Sequence, residues 1–338
     1  MKILIVRNDK LGDFVLTLPC YVMLKAACPD ANISVLVPKY TAEIARCCPS
    51  IDQVLIDNAD NSLSSFTQLV RLLHSQKFDA VITLYSTTRI ALAVFLAGIK
   101  YRLAPATKIA QIFYNHRLRQ RRSRSEKPEY EYNLDLIKKF LLDSEINQNP
   151  VVQPPYLSFD AKITGDLREK FCEQNNIDIE KKLIFLHAGS GGSANNLSLA
   201  QYAQLANNLE ASSNYLFVLT AGPGELDRVN ELSGLMQNIA HVVYHSTKGL
   251  TPFAQHIAFA NLFISGSTGT LHIAGALDVP TAAFYTRRQS ATSLRWQTLN
   301  SPERRLAFTP PDDADEEDMS KVNITKAAVK IRDKFLIG

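Results

Sequence analysis

The sequence predicts two consecutive α/β domains, each a doubly wound parallel sheet, and three observations carry the prediction. Short β-rich runs alternate with longer amphipathic helical runs along the chain. A stretch at 147–155 with three prolines and two asparagines breaks the alternation once, and the scheme then restarts. Each half opens on a strand of the buried type that runs into a glycine-containing loop. Sheets of this kind bind ligands at the carboxyl ends of their strands. A length of 338 residues fits two such domains, at roughly 100–200 residues each.

In the first half the apolar, β-branched runs at 3–6, 33–37, 53–56 and 80–84 read as strands. Helical spacing of apolar residues covers 15–27, 41–47, 63–75 and 89–96, then an amphipathic segment at 132–142. The second half offers strands at 183–186, 215–220, 241–244, 262–265 and 281–285, separated by helices at 199–210, 225–237, 251–259 and 270–277. A closing amphipathic helix is predicted at about 324–336. The expected division is 1–153 and 154–338, both Rossmann-like and facing a central cleft.

Composition removes several alternatives. With 46% apolar and 21% charged residues the chain is neither disordered nor fibrous. The five cysteines, an odd number with no Cys-x-x-Cys, frame neither a disulfide scaffold nor a zinc site. No apolar run reaches the roughly 18–20 residues of a membrane span, and the N-terminus meets Arg7 and Asp9 too early for a signal-peptide core. A cytoplasmic protein is expected, which leaves peripheral work at the inner face of the membrane open. Lysine and arginine number 37 against 33 acids, a formal charge of +4. That average hides a basic segment: from Lys100 to Lys127 there are nine basic residues and one acid. Arg117, Arg119, Arg121, Arg122 and Arg124 fall within eight positions of it. Arginine forks suit phosphate and carboxylate groups, so an anionic acceptor is the sharper reading. Nucleic acid is not expected, because no aromatics interleave the run.

Three loops have the makings of a site. Arg7-Asn8-Asp9-Lys10-Leu11-Gly12-Asp13 joins the first strand to the first helix, and Gly12 permits close backbone approach. Asp13 at that helix start is either a helix N-cap or a working carboxylate. His187-Ala188-Gly189-Ser190 and the glycines after it follow the second domain's first strand, a composition suited to a phosphate or to a flexible turn. It is neither a dinucleotide fingerprint nor a Walker loop. Ser267-Thr268-Gly269-Thr270 ends a strand and opens a small-residue helix, whose first amides form an anion site. His272 lies one turn in, either as a structural residue or as a phosphate donor. Asp313-Ala314-Asp315 spells a metal-nucleotide motif but sits in an acidic loop with no adjacent strand, so a metal role is not expected.

Arg7-x-Asp9-x-x-Gly12-Asp13 with Leu18-Pro19, then His187-Ala188-Gly189-Ser190, then Ser267-Thr268-Gly269-x-x-His272-x-Ala274, in that order, resemble the family 9 glycosyltransferases, which include the ADP-heptose:lipopolysaccharide heptosyltransferases of Gram-negative bacteria. The resemblance implies a GT-B fold with an acceptor-binding domain at 1–153 and a nucleotide-sugar-binding domain at 154–338, the final helix packing back on the N-terminal domain, and inverting, metal-independent transfer. It also implies a nucleotide-sugar donor, ADP-heptose, no further cofactor, and a lipopolysaccharide core acceptor. On this resemblance Asp13 is the general base. Lys10, Gly12, Gly189, Ser190, Asn195, Glu225, Ser267, Thr268, Gly269 and His272 hold the donor, and the arginines of 117–124 hold the acceptor. The sequence departs from the family in two places. Ser267 stands where heptosyltransferases often carry Asp, and Asn195-Asn196-Leu197-Ser198 stands where they carry Lys-x-Trp-Pro. A different nucleotide-sugar donor, or a non-catalytic glycolipid- or partner-binding relative, is the alternative these departures leave open.

Overall fold

A computed structural model describes residues 1–60, 62–107, 109–148, 150–189, 195–209 and 214–336. The chain divides into two compact units. One comprises Met1–Arg122 and Glu126–Tyr156; the other comprises Ser123–Ser125 and Leu157–Gly338.

The first unit runs β1 (Lys2–Val6), α1 (Leu11–Val15), α2 (Leu18–Ala27), β2 (Asn32–Pro38), α3 (Ala42–Arg46), β3 (Gln53–Asp57), α4 (Leu63–Gln76), β4 (Ala80–Thr83), α5 (Thr88–Leu96), β5 (Tyr101–Pro105), β6 (His116–Leu118) and α6 (Glu129–Asp143). Among the described residues its six strands form one parallel sheet in the order β3-β2-β1-β4-β5-β6. Buried Leu4, Val6, Leu36 and Val81 on one face pack against Leu69 and Leu73 of α4 and Ile90 and Val94 of α5.

The second unit repeats the plan with α7 (Ala161–Gln174), β7 (Lys182–His187), α8 (Leu199–Leu209), β8 (Tyr215–Ala221), α9 (Leu226–Leu235), β9 (His241–His245), α10 (Leu250–Ile257), β10 (Leu262–Gly266), α11 (Gly269–Ala276), β11 (Thr281–Phe284), β12 (Arg305–Phe308) and α12 (Ile324–Ile331). Its sheet order, β12-β11-β10-β7-β8-β9, is the same winding. In both sheets the order reverses beside the first strand, between β1 and β4 and between β7 and β10. That reversal separates the crossing connections at the carboxyl ends and leaves a crevice there. The loops after β1, β7 and β10, singled out from the sequence, all sit at these reversals.

The structure alters several sequence expectations. The helix predicted at 15–27 is two helices, because Pro19 cannot continue a preceding turn and Thr17 Oγ1 donates to the Phe14 carbonyl oxygen at 2.6 Å. The closing helix packs into the core of its own half. Ile324, Ala327, Ala328 and Ile331 are buried with Leu205 and Leu209 of α8 in the second unit's core. The turn after it is fixed there by the Tyr215 hydroxyl, which donates to the Leu336 carbonyl oxygen. An amphipathic stripe of this kind goes to the nearest uncovered apolar face, and α8 supplies one. The strands β5, β6 and β12 and the helix α7 were not predicted at all.

Candidate active site

In the first unit the site is built on Arg7, the residue after β1. Its side chain is 2% exposed, and its donors reach three carboxylates. Nε bonds Asp9 Oδ1 at 2.7 Å, Nη2 bonds Asp13 Oδ1 at 2.5 Å, and Nη1 lies 3.3 Å from Glu129 Oε1. Glu129, first residue of α6 and equally buried, also accepts from Arg122 Nη1 at 2.6 Å. Burial works against the charge on Arg7, but Asp9, Asp13 and Glu129 together outweigh it and hold the guanidinium protonated.

Asp13 is pulled both ways. Burial raises its proton affinity most, Arg7 lowers it, and the neighbouring charges of Asp9 and Glu129 raise it again, so that its pKa is lifted to about 6. The carboxyl therefore ionises just below neutrality, where a general base is most effective. The N-cap alternative does not hold. Lys10 occupies the cap position of α1, and Asp13 lies in the first turn with its carboxylate on Arg7. Gly12 is the second residue of α1, and Lys10 before the helix is exposed. Behind the loop, Asn8 Nδ2 donates to Asp57 Oδ2 at 3.0 Å, and Arg89 Nη1 lies 2.7 Å from both Asp57 oxygens.

The basic run does not act as one object. Arg117, Arg119, Arg121 and Arg124 are exposed. Arg122 is turned inward instead: it pairs with Glu129, its Nε donates to Gln120 Oε1 at 2.9 Å, and it stacks over the Tyr132 ring. It therefore leaves the acceptor-binding set and becomes part of the support of Asp13. Lys108 of the same segment lies outside the described residues.

In the second unit Gly189, Glu225, Ser267, Thr268, Gly269 and His272 all lie at the carboxyl ends of β7, β8 and β10. Glu225 Oε2 accepts from the Gly222 main-chain N–H at 2.8 Å, and its carboxylate stands directly over Gly189. A Cβ at 189 would come within 2.1 Å of Glu225 Oε1, so any larger residue there displaces this carboxylate. His187 is buried between Thr220, whose hydroxyl is 3.0 Å from Nδ1, and Glu225, 3.8 Å from Nε2. Burial lowers its pKa, with Glu225 opposing. Ser190 lies outside the described residues.

The third loop caps α11. Thr268 Oγ1 accepts from Leu271 N at 3.3 Å and lies 3.1 Å from Ser265 Oγ. The Gly269 and Thr270 amides belong to the helix's opening turn, where N–H groups have no intrahelical partner. Ser267 and Gly269 are partly exposed. His272 is buried, its pKa pushed down to about 4 by burial, and its Nδ1 has no hydrogen-bond partner among the described residues. At neutral pH it offers an N–H but no positive charge.

Sequence reasoning picked Asn195 at the departure from the family pattern, yet Asn195 is exposed and its neighbour does the structural job. Asn196 Nδ2 donates to the Ala188 and Gly189 carbonyl oxygens at 3.2 and 3.4 Å. Its Oδ1 accepts from the Tyr202 hydroxyl at 2.6 Å and occupies the space a Cβ on Gly266 would need. Asn196 thus ties the loop after β7 to the end of β10. The acidic loop is organised by Arg287, whose Nη2 donates to the Ala314 carbonyl oxygen at 2.6 Å. Among the described residues no cluster of three or more His, Cys, Asp or Glu is placed to hold a metal ion, and no helix is long and apolar enough to cross a membrane.

A family model for glycosyltransferase family 9 (heptosyltransferase) matches residues 66–301. A Haemophilus influenzae protein described provisionally as a glycosyltransferase is 45% identical over 333 residues, covering 98% of this chain and 95% of the relative. The crystal structure of a family 9 glycosyl transferase from Veillonella parvula matches with a TM-score of 0.82 at 16% identity, over 99% of this chain and 97% of that one. The structure of Escherichia coli ADP-heptose lipopolysaccharide heptosyltransferase II matches with a TM-score of 0.79 at 18% identity, over 99% of both chains. Two parallel α/β units with these neighbours define a glycosyltransferase of the GT-B fold. The chain belongs to glycosyltransferase family 9. The matched span contains the loops after β7 and β10 but begins after Asp13, so the role of Asp13 stands on its geometry and on the motif around it.

Proposed function

We propose that the protein transfers a heptose from ADP-heptose to an anionic acceptor of the lipopolysaccharide inner core, at the cytoplasmic face of the inner membrane. The carrying observation is Asp13: a carboxylate at the carboxyl end of β1, gripped by a buried arginine and lifted to a pKa of about 6. In the proposed reaction Asp13 removes the proton of an acceptor hydroxyl. The oxygen attacks the anomeric carbon from the side opposite the diphosphate, the carbon–oxygen bond to the diphosphate breaks, and configuration inverts. The charge that develops on the leaving group is met by the Gly269 and Thr270 amides and the neutral His272. Transfer then needs no metal ion. Glu225, over Gly189, is the group for the nucleoside, and Arg117, Arg119, Arg121 and Arg124 meet the acceptor's charges.

One observation favours a second reading with the same chemistry and another donor. Ser267 stands where a carboxylate is usual, and neutral Asn195 stands where a lysine is usual. Thermal-shift titration with ADP-, GDP-, UDP- and dTDP-sugars separates the two readings. A donor at 100 times its Kd stabilises by about 2.7 kcal/mol. ADP-heptose is expected to give the largest shift, and a larger shift with another nucleotide transfers the proposal to that donor.

A further inference from the structure

The first unit exposes large apolar side chains where its basic charge is concentrated. Phe95 and Leu96 end α5 at 47% and 51% exposure, and Ile109 and Ile112 stand out at 76% and 66% on the single turn between β5 and β6. These elements pack together: the Phe95 and Phe113 rings are 5.6 Å apart, and Ala110 and Tyr114 of the turn are buried with Ile90 and Val94 of the helix. The four exposed side chains thus belong to one face, which folding leaves in water. Contiguous exposed apolar surface with a polar rim marks an interaction site.

The rim is basic. Arg102 lies over the Phe95 ring at 5.3 Å, and its Nε donates to the Phe113 carbonyl oxygen. Lys100 is exposed at the start of β5. Arg117 pairs in register with Ala104, whose side chain is buried on the α4–α5 side of the sheet, so strand alternation turns exposed Arg117 to the same side. Residues 61–125 hold eleven lysines and arginines (Arg71, Lys77, Arg89, Lys100, Arg102, Lys108 and the five arginines of 117–124) against a single acid, Asp79. The Asp79 carboxylate accepts from the Lys2 main-chain N–H.

We infer that this face docks on an anionic phospholipid bilayer, with Ile109, Ile112, Phe95 and Leu96 entering the headgroup region and Lys100, Arg102 and Arg117 meeting lipid phosphates. Charge decides the occupant. A second copy of the chain would bring one basic face against another, whereas a bilayer supplies negative charge at the surface and an apolar layer just beneath it. A lipid-anchored acceptor, part of the proposed function, gives such a face a purpose, but its exposure and charge stand without it.

The test is sedimentation of the full chain with sucrose-loaded vesicles free of glycolipid, one set pure phosphatidylcholine and the other with about a quarter phosphatidylglycerol, at low and high salt. The wild type is expected to sediment with the anionic vesicles only, and to be released by salt. Ile109→Ser with Ile112→Ser is expected to weaken partitioning by at least about tenfold, and Ile109→Trp with Ile112→Trp to strengthen it. Unfolding temperature and donor-induced thermal shift are expected to stay at wild-type values in both. No sedimentation of the wild type with anionic vesicles, or equal sedimentation of the wild type and the serine pair, overturns the inference. So does a dimer in the absence of vesicles that the serine pair disperses. Because these vesicles carry no acceptor, failure of docking and failure of sugar transfer remain separate results.

Discussion

At Asp13 burial and ion pairing oppose each other, and the balance has consequences for both activity and stability. Only the ionised carboxylate accepts a proton, and its pKa is lifted to about 6. kcat/KM is therefore expected to fall as pH drops through about 6 and to be level above it, and a profile flat down to pH 4 would remove Asp13 as the base. The stability effect has the opposite sense. A folded-state pKa above the unfolded value of about 3.9 means that the neutral form is the favoured one in the fold. Its contribution is complete below about pH 4 and is lost as pH rises through about 6. Asp13→Asn is thus expected to match or exceed the wild-type unfolding temperature at pH 8. A fall of several degrees would instead make Asp13 a structural partner of Arg7. Little of this arrangement was legible in the sequence. The motif supplied Asp13 and Arg7, but Glu129 lies 122 positions from Arg7 in the chain, and no local pattern joins them. The arginine cluster was legible as charge, not as direction, so the inward turn of Arg122 onto Glu129 was invisible.

At the scale of elements, two glycines show how the second unit is assembled, for different reasons. Gly275 in α11 faces the segment before β12: a Cβ there would meet Thr298 Cβ at 2.7 Å and the Leu299 main-chain nitrogen at 3.0 Å. Backbone cannot step aside cheaply, and overpacking a close contact costs about 1–3 kcal/mol. Gly275→Ala is expected to lower stability by that amount in chemical denaturation. The Cβ of a Gly189→Ala variant meets only the end of the Glu225 side chain, which can swing away. That variant is expected to keep most of its stability while losing donor-induced thermal shift, because Glu225 is displaced. If Gly189→Ala were the more destabilising of the two, the loop after β7 would be a packing element rather than a donor platform. Apolar runs such as Ile3–Val6 gave most of the strands away by their composition. β5 escaped because Arg102 interrupts its apolar run, and β6 because it is only three residues long with Arg117 at its centre. The long helix α7 escaped because only Phe171 and Cys172 along it are buried, too few to give a stripe.

For the whole molecule, length and the break near 150 foretold two α/β halves, and the repeated strand order confirms that both are wound alike. The net charge of +4 was the misleading figure. It averages an almost acid-free stretch, 61–125, with an acidic remainder, and the stretch turns out to carry both the exposed apolar face and Arg122, which pairs with the Glu129 that also faces Arg7. Neither composition nor periodicity conveyed the proposed division of labour between the halves, which places a tuned carboxylate on the first and the donor's anion site on the second. The most direct test of that division is nucleoside diphosphate release from ADP-heptose on addition of purified acceptor, compared between wild type and Asp13→Asn at pH 8, with donor binding measured in parallel. General-base removal is expected to cost about 10²–10⁴-fold in turnover while the donor-induced thermal shift stays at the wild-type value. Turnover by Asp13→Asn at the wild-type rate would contradict the account.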